Sequence, residues 1–278
     1  MKFHELRGVI LDMDGVLWRG DVALPGFADI FAWLAEKQMP YLLATNNSGK
    51  TAVQYQEKLA ALGVPDVPAD RILSSAIATA QWLGKRYPAG TTVYVIGMTG
   101  IREALDDSGF DVVGEGQPAE LVVVGIDRDL TYAKARHAVR LIHGGAAFFG
   151  TNADKTFPDA DGIGPGAGSI LALIETAAGV APTVIGKPHR AMFDAAIDAL
   201  NADPAHVLMV GDRLDTDIAG AQAVGMKTAL VLSGVTTPDT LASADVWPDV
   251  AYEDLAALVR AWAGDAWMTE RIRARRRA

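Results

Sequence analysis

The 278-residue chain contains no cysteine. That absence removes disulfides, thiolate metal sites and cysteine nucleophiles together, and leaves oxygen or imidazole as the only metal ligands. Imidazole is scarce as well: His4, His137, His143, His189 and His206 are scattered without metal-ligand spacing and read as structural or exposed. No apolar run approaches the ~18 residues that a transmembrane helix needs. The first such run, Gly8 to Leu17, is interrupted by Asp12 and Asp14, which the apolar core of a signal peptide would not tolerate. A cytoplasmic protein with no membrane partner is expected. There is no Gly-x-Ser-x-Gly element, so serine-hydrolase chemistry has no support. A Walker A loop around Lys187 is excluded too, because Ala181 stands at its first glycine position and Pro188 at its Ser/Thr position.

What is present suits a large folded core. Half the residues are hydrophobic, and the mean hydropathy is +0.16 for a mass of 29.4 kDa. A chain of this mass buries roughly 73% of its extended surface on folding, so intrinsic disorder is not expected. The net charge of −9 argues against nucleic acid as a partner of the main body. Basic charge is concentrated at the C-terminal end, where Arg271, Arg273, Arg275, Arg276 and Arg277 face only Glu270. This tail reads as a solvated helix end, with a nucleic-acid or membrane-surface arm as the weaker alternative.

Short β-branched runs alternate with amphipathic or alanine-rich stretches throughout. Strands are expected at Gly8–Leu11, Tyr41–Ala44, Thr92–Ile96, Leu121–Val124, Ala147–Phe149, Thr183–Ile185, Val207–Val210 and Thr228–Val231. Helices are expected at Thr51–Leu62, Ser75–Arg86, Tyr132–His143, Ser169–Ala178, Arg190–Leu200 and Asp217–Val224. The alternation implies right-handed βαβ units and an α/β class with a doubly wound parallel sheet. Ligands of such sheets sit outside the carboxyl ends of the strands, so the residues that follow each apolar run carry the functional reading.

Four strand ends stand out. The first run leads into Asp12-Met-Asp14-Gly15; two neighbouring carboxylates repel unless a cation lies between them, and a lone aspartate can also attack phosphorus. The second leads into Thr45-Asn46-Asn47-Ser48 ahead of a helix, where hydroxyl, amide and backbone N–H groups make an anion site or a plain helix cap. The third ends in Gly186-Lys187-Pro188, which either fixes one cation where a substrate anion could sit or, taken alone, is simply structural. The fourth runs into Gly211-Asp212-Arg213-Leu214-Asp215-Thr216-Asp217; three carboxylates so close favour a hard oxygen-liganded ion such as Mg²⁺. Thr45 and Lys187 lie 142 positions apart, too far for one or two βα units, so an inserted domain is expected between them. Hydropathy puts it at residues 81–180, with 1–80 and 181–278 forming the core.

Within the insert, Gly150-Thr151-Asn152-Ala153-Asp154 again places polar groups at a strand end. The glycine-rich Asp161–Ser169 stretch that follows reads as a turn and helix entry. Its Gly162-x-Gly164-x-x-Ala167 spacing does not follow a strand as a dinucleotide fingerprint requires.

In this order, the four motifs closely resemble the haloacid dehalogenase superfamily of phosphohydrolases over nearly the whole chain. The wording around Thr45–Ser48, the Gly186-Lys187-Pro188 triplet and Gly211–Ile218 resembles its 4-nitrophenylphosphatase-like branch (subfamily IIA). The resemblance implies a Mg²⁺-dependent phosphomonoesterase acting on a small phosphorylated metabolite, with an α/β cap as the insert. It implies that Asp12 is the nucleophile, that Asp14 is the acid–base, and that Mg²⁺ is held by Asp12, the Asp14 carbonyl and Asp212. Asp217 would orient the metal's waters, and Asp215 is the less certain member. Thr45, the Asn46 backbone, Asn47 and Lys187 would hold phosphate, with Lys187 also neutralising Asp12. Asn152 and Asp154 would face the leaving group. Family members often pair through the cap, so a homodimer by that route is an expectation. Two other readings remain open: a phosphomutase or phosphotransferase using the same Asp12, and a non-catalytic receiver-like module.

Overall fold

The computed structural model describes residues 3–159 and 162–263. The chain falls into two compact units: Met1–Ala44, Gln56–Ile72 and Ala196–Ala278 form the first, and Thr45–Tyr55 with Leu73–Ala195 the second. The expected insert, 81–180, lies inside the second unit, whose bounds are wider. In chain order the strands are β1 (Gly8–Leu11), β2 (Trp18–Arg19), β3 (Val22–Ala23), β4 (Tyr41–Thr45), β5 (Ile72–Ser74), β6 (Thr92–Ile96), β7 (Asp111–Val113), β8 (Leu121–Val124), β9 (Ala147–Gly150), β10 (Thr156–Asp159), β11 (Gly162–Pro165), β12 (Thr183–Val184), β13 (Val207–Gly211), β14 (Lys227–Val231) and β15 (Val250–Tyr252).

The first unit is built on a six-stranded sheet ordered β15-β14-β13-β1-β4-β5. The pairings from β15 through to β4 are parallel. Every residue of β1 and β13 is buried, which is why both read as unbroken apolar runs: a strand covered on both faces has no polar side. Order in the sheet reverses at β1, with β4 and β5 on one side and β13, β14 and β15 on the other. The carboxyl ends beside such a switch point are where an open α/β sheet offers a crevice. The helix Phe27–Glu36 covers part of this sheet's surroundings with Phe27, Ile30, Phe31 and Leu34 buried, the i, i+3, i+4, i+7 stripe of an amphipathic helix. It packs against the helix Leu255–Ala263, with the Trp33 and Trp262 ring centroids 4.7 Å apart.

The second unit has a five-stranded parallel sheet ordered β12-β9-β8-β6-β7. Its strands alternate faces with period two. Val93, Val95, Leu121 and Val123 pack with Ala76, Leu83, Ile101 and Leu105 of the helices Ser75–Gly84 and Thr99–Asp107. Tyr94, Ile96, Val122 and Val124 pack on the other side with Ala138, Ile142, Ile170 and Ile174 of the helices Tyr132–His143 and Ala167–Ala178. Helices on both faces make this unit doubly wound as well.

The expected strands and helices are all present, with no end moved by more than two residues. The strands β2, β3, β5, β7, β10 and β15 are additional, each only two to four residues long and so too short to show a period. The glycine-rich stretch differs more. Gly162–Pro165 is a strand, paired antiparallel with β10 from Thr156↔Pro165 to Asp159↔Gly162, where a turn was expected. This antiparallel hairpin also lacks the parallel βα geometry of a dinucleotide site. The helix expected from Asp217 is preceded by a π-helical turn, Leu214–Ile218, and continues only over Ala219–Ala223. Among the described residues no helix is long and apolar enough to cross a membrane. The arginine-rich tail lies outside the described residues.

Leu105 is fully buried in the second unit. Leu105→Ala is expected to lower that unit's stability by about 2–5 kcal/mol, as for other buried leucines cut back to alanine. Urea unfolding followed by far-UV circular dichroism measures the difference.

Candidate functional site

The switch point of the first unit gathers its aspartates. The Asp12 N–H donates to the Val210 carbonyl at 2.9 Å, which carries the β1–β13 ladder one residue past β1 and holds the Asp12 backbone in extended form. The chain then doubles back. Leu17 N–H donates to the Met13 carbonyl at 2.8 Å and Gly15 N–H to the Trp18 carbonyl at 2.8 Å. Gly15 makes this turn possible with φ at 89°, where a side chain is strained. A Cβ there would also lie 2.5 Å from the Asp212 Oδ2 atom.

Asp212 follows β13, the neighbour of β1. Its Oδ2 accepts the Val235 N–H at 2.6 Å, and its carbonyl accepts the Thr236 N–H at 3.1 Å. Asp217 is brought back towards it by the π-helical turn, in which both Asp217 and Ile218 N–H groups donate to the Arg213 carbonyl at 3.2 Å. The Arg213 N–H in return donates to Asp217 Oδ2 at 3.1 Å. Asp12, Asp212 and Asp217 are all buried, and one carboxylate oxygen from each lies within 4.8 Å of the others. Three buried carboxylates with oxygen as the only donor type fit a hard divalent cation. The sequence reading grouped Asp217 with Asp12 and Asp212 around the metal, and its carboxylate stands with theirs in the cluster.

Two neighbouring aspartates are arranged differently. The Asp14 carboxylate is outside this cluster, with Oδ1 accepting from the Trp18 indole N–H at 2.9 Å. The Lys58 ammonium lies 4.7 Å from the centroid of the same indole. Asp215 points away: its side chain is 69% exposed and pairs with the Arg213 guanidinium at 3.0 Å. Partial burial pushes the Asp215 carboxyl up, but the Arg213 hydrogen bond and charge, with the Asp215 and Thr216 backbone N–H groups, hold it below the usual carboxylate range.

The remaining candidates belong to the second unit, and there they form one network. Thr45, Asn46 and Lys187 are buried. Thr45 Oγ1 accepts the Asn47 N–H at 3.1 Å, and Asn47 Oδ1 accepts the Gly49 N–H at 2.9 Å, so Asn47 shapes the loop before the helix Ala52–Ala61. That loop is seated on the carboxyl ends of the five-stranded sheet: Gly100 N–H donates to the Gly49 carbonyl at 3.2 Å, and Thr151 Oγ1 donates to Ser48 Oγ at 3.0 Å. Asn152 is buried, with Nδ2 donating to the Asn46 carbonyl at 2.6 Å and Oδ1 accepting the Asp154 N–H at 3.1 Å. Both ends of the Asn152 amide are thus committed to the frame. Asp154 is half-buried, with Oδ1 accepting from Asn46 Nδ2 at 3.2 Å.

Three contacts were not read from the sequence. Trp18 could have been suspected, because an indole four residues past Asp14 in a tight turn can reach back to it. Ser75, whose hydroxyl donates to the Asn46 carbonyl, and the Asn46 side chain, which holds residues 108 and 141 positions away, left no local signal.

A family profile for haloacid dehalogenase-like hydrolases matches residues 9–111, and a second, described as HAD-hydrolase-like, matches residues 184–258. The chain is 35% identical to an acid sugar phosphatase of Staphylococcus epidermidis over 92% of this chain and 96% of that one. Among solved structures it is similar to a 4-nitrophenylphosphatase of Thermotoga maritima, at TM-score 0.88 and 33% identity over 94% of this chain and 98% of that one. It is also similar to a glycerol phosphate phosphatase of Mycobacterium tuberculosis in complex with magnesium, at TM-score 0.84 and 28% identity over 93% and 78% of the two chains.

Gly15→Ala is expected to displace the Asp212 carboxylate and to weaken Mg²⁺ binding by about 10–100-fold, the usual cost of disturbing a ligand's support. Isothermal titration calorimetry of Mg²⁺ into wild type and variant reads the change.

Proposed function

This chain belongs to the haloacid dehalogenase-like hydrolases, in their 4-nitrophenylphosphatase-like branch, and on that premise we propose how its residues divide the work of a Mg²⁺-dependent phosphomonoesterase. The observation that carries the proposal is the buried group of Asp12, Asp212 and Asp217 with oxygens within 4.8 Å. Asp12, Asp212 and Asp217, with the Asp14 carbonyl, are the groups that would hold Mg²⁺. When bound, the ion offsets the negative charge of the carboxylates and of the phosphoryl oxygens, as phosphoryl transfer requires.

The chain's own residues carry the two steps. A carboxylate oxygen of Asp12 forms a bond to phosphorus as the bond to the leaving alkoxide breaks, and Asp14 gives that oxygen its proton. Water then attacks the aspartyl phosphate and gives a proton to Asp14; the phosphorus–Asp12 bond breaks, releasing phosphate and restoring the carboxylate. The Trp18 indole N–H fixes one oxygen of Asp14, which leaves the other for proton exchange. Thr45, the Asn46 backbone, Asn47 and Lys187 are assigned to the phosphate by family resemblance, which supports the reading without a bound ligand.

The substrate is a small phosphorylated metabolite. Sugar phosphates and glycerol phosphate are proposed as the first candidates, on the names of the relatives. Residues 81–180 are proposed as the cap, with Asn152 and Asp154 affecting the choice of leaving group. Pairing of two chains through the cap, and a cytoplasmic setting, complete the proposal.

Asp12→Asn is expected to reduce release of inorganic phosphate from 4-nitrophenyl phosphate and from sugar phosphates by more than about a thousandfold, or ~4 kcal/mol of transition-state stabilisation. Chelation of wild type is expected to abolish turnover, with recovery on adding Mg²⁺. Turnover that persists in either case overturns the assignment. Phosphate appearing on an acceptor sugar and not in solution would favour the phosphotransferase reading.

A further inference from the structure

Lys187 sits where the sheet of the second unit runs out. β12 pairs with β9 only at Thr183↔Phe149 and Val184↔Gly150. Two more bonds extend the ladder: Ile185 N–H to the Gly150 carbonyl at 3.0 Å and Gly186 N–H to the Thr151 carbonyl at 2.8 Å. The next residue, Lys187, is buried, and the following Pro188 has no N–H to give. A buried backbone N–H and carbonyl at such a point need partners.

The Asn46 side chain supplies both. Its Oδ1 accepts the Lys187 N–H at 2.8 Å and its Nδ2 donates to the Lys187 carbonyl at 3.0 Å. The second Nδ2 hydrogen goes to Asp154 Oδ1 at 3.2 Å. A carboxamide carries one acceptor and a two-hydrogen donor on a planar group, so it can stand in for the missing strand. Neither a carboxylate nor a hydroxyl of similar length can make all three bonds at once. The approach is close: a Cβ on Gly186 would lie 2.8 Å from Asn46 Oδ1. Asn46 is itself anchored, its carbonyl accepting from Ser75 Oγ and from Asn152 Nδ2.

We infer that the Asn46 side chain is a positioning residue for Lys187, clasping its backbone so that the lysine ammonium is held in one place for the phosphoryl group. This rests on the phosphatase reading and deepens it, because the resemblance assigns only the Asn46 backbone, and to phosphate. The two assignments differ in outcome. A backbone contact survives loss of the side chain; the clasp does not. Misplacing a charged group by about 1 Å is enough to lower turnover about a hundredfold.

The test is made on full-length protein with Mg²⁺ and 4-nitrophenyl phosphate, together with site-resolved hydrogen exchange at the Lys187 amide. Asn46→Ala is expected to lower kcat about a hundredfold with KM within about threefold of wild type, and to speed exchange at Lys187 at least about tenfold. Asn46→Asp keeps the volume and the acceptor but loses both donors, and is expected to lose kcat to a similar degree. Variants with kcat within about threefold of wild type, or with a loss confined to KM, overturn the inference. Should neither variant fold, the wild-type protein still decides: a Lys187 amide that exchanges as fast as those of exposed loops overturns the clasp. A wild-type chain that releases no phosphate from any monoester counts against the phosphatase reading, whereas an active wild type with unaffected variants counts against the clasp alone.

Discussion

Three carboxylates held within 4.8 Å of one another in a buried place are the constraint to which the first unit is built. If all three were ionised, each pair at that separation would repel by about 3 kcal/mol at an effective dielectric near 20. That repulsion must be offset by hydrogen bonds and a cation, or the local structure would open. The backbone supplies part of the answer, since N–H groups of Val235 and Arg213 donate to Asp212 and Asp217. The sheet supplies the rest of the placement: Asp12 and Asp212 follow adjacent parallel strands, and neither can move without disturbing a fully buried ladder. A Mg²⁺ ion would complete the arrangement, and the same charge that makes the group costly alone would give it affinity for the ion.

The second unit meets a different demand, that of keeping a lysine buried and in place. Hydrophobic packing cannot do this at the end of a two-residue strand, so polar side chains take over from the ladder. Asn46, Asn152, Ser75 and Thr151 are all buried and bond mostly to backbone atoms or to one another. A satisfied polar network of this kind specifies one geometry, and leaving any one member unpaired inside it costs about 1–3 kcal/mol. Asn47 and Asp154 hold the loops on either side.

Much of this was legible in the sequence because the signals were local. The runs of β1 and β13 are apolar on both faces, and Asp12 and Asp212 follow them directly, so strand, strand end and ligand type could be read together. The path that brings Asp217 to the cluster was not legible, because it depends on the π-helical turn, and nothing in Leu214–Ile218 distinguishes that turn from an α-helix. The hairpin β10–β11 was hidden by four glycines, which carry no side-chain period. The side-chain roles of Asn46 and Asn152 were hidden for another reason. The bonds that join Asn46 to Asp154, Lys187 and Asn152 each span more than a hundred residues, and an amide that caps a helix looks the same in sequence as one that replaces a strand.

The π-helical turn has a consequence for how this region tolerates changes in length. Its bonds span five residues, from the Ile218 N–H to the Arg213 carbonyl and from the Ala219 N–H to the Leu214 carbonyl. Relative to an α-helix it holds one residue too many, and that surplus brings Asp217 round to Asp212. Removing a single residue between Arg213 and Asp217 would let the turn relax to the α-helical spacing, rotating every later side chain by about 100°. The apolar face of Ala219–Ala223 would then turn with it. Substitutions at the exposed Asp215 leave this phase intact, whereas a one-residue deletion cannot, so drift in this segment is open to side-chain exchange and closed to changes in length.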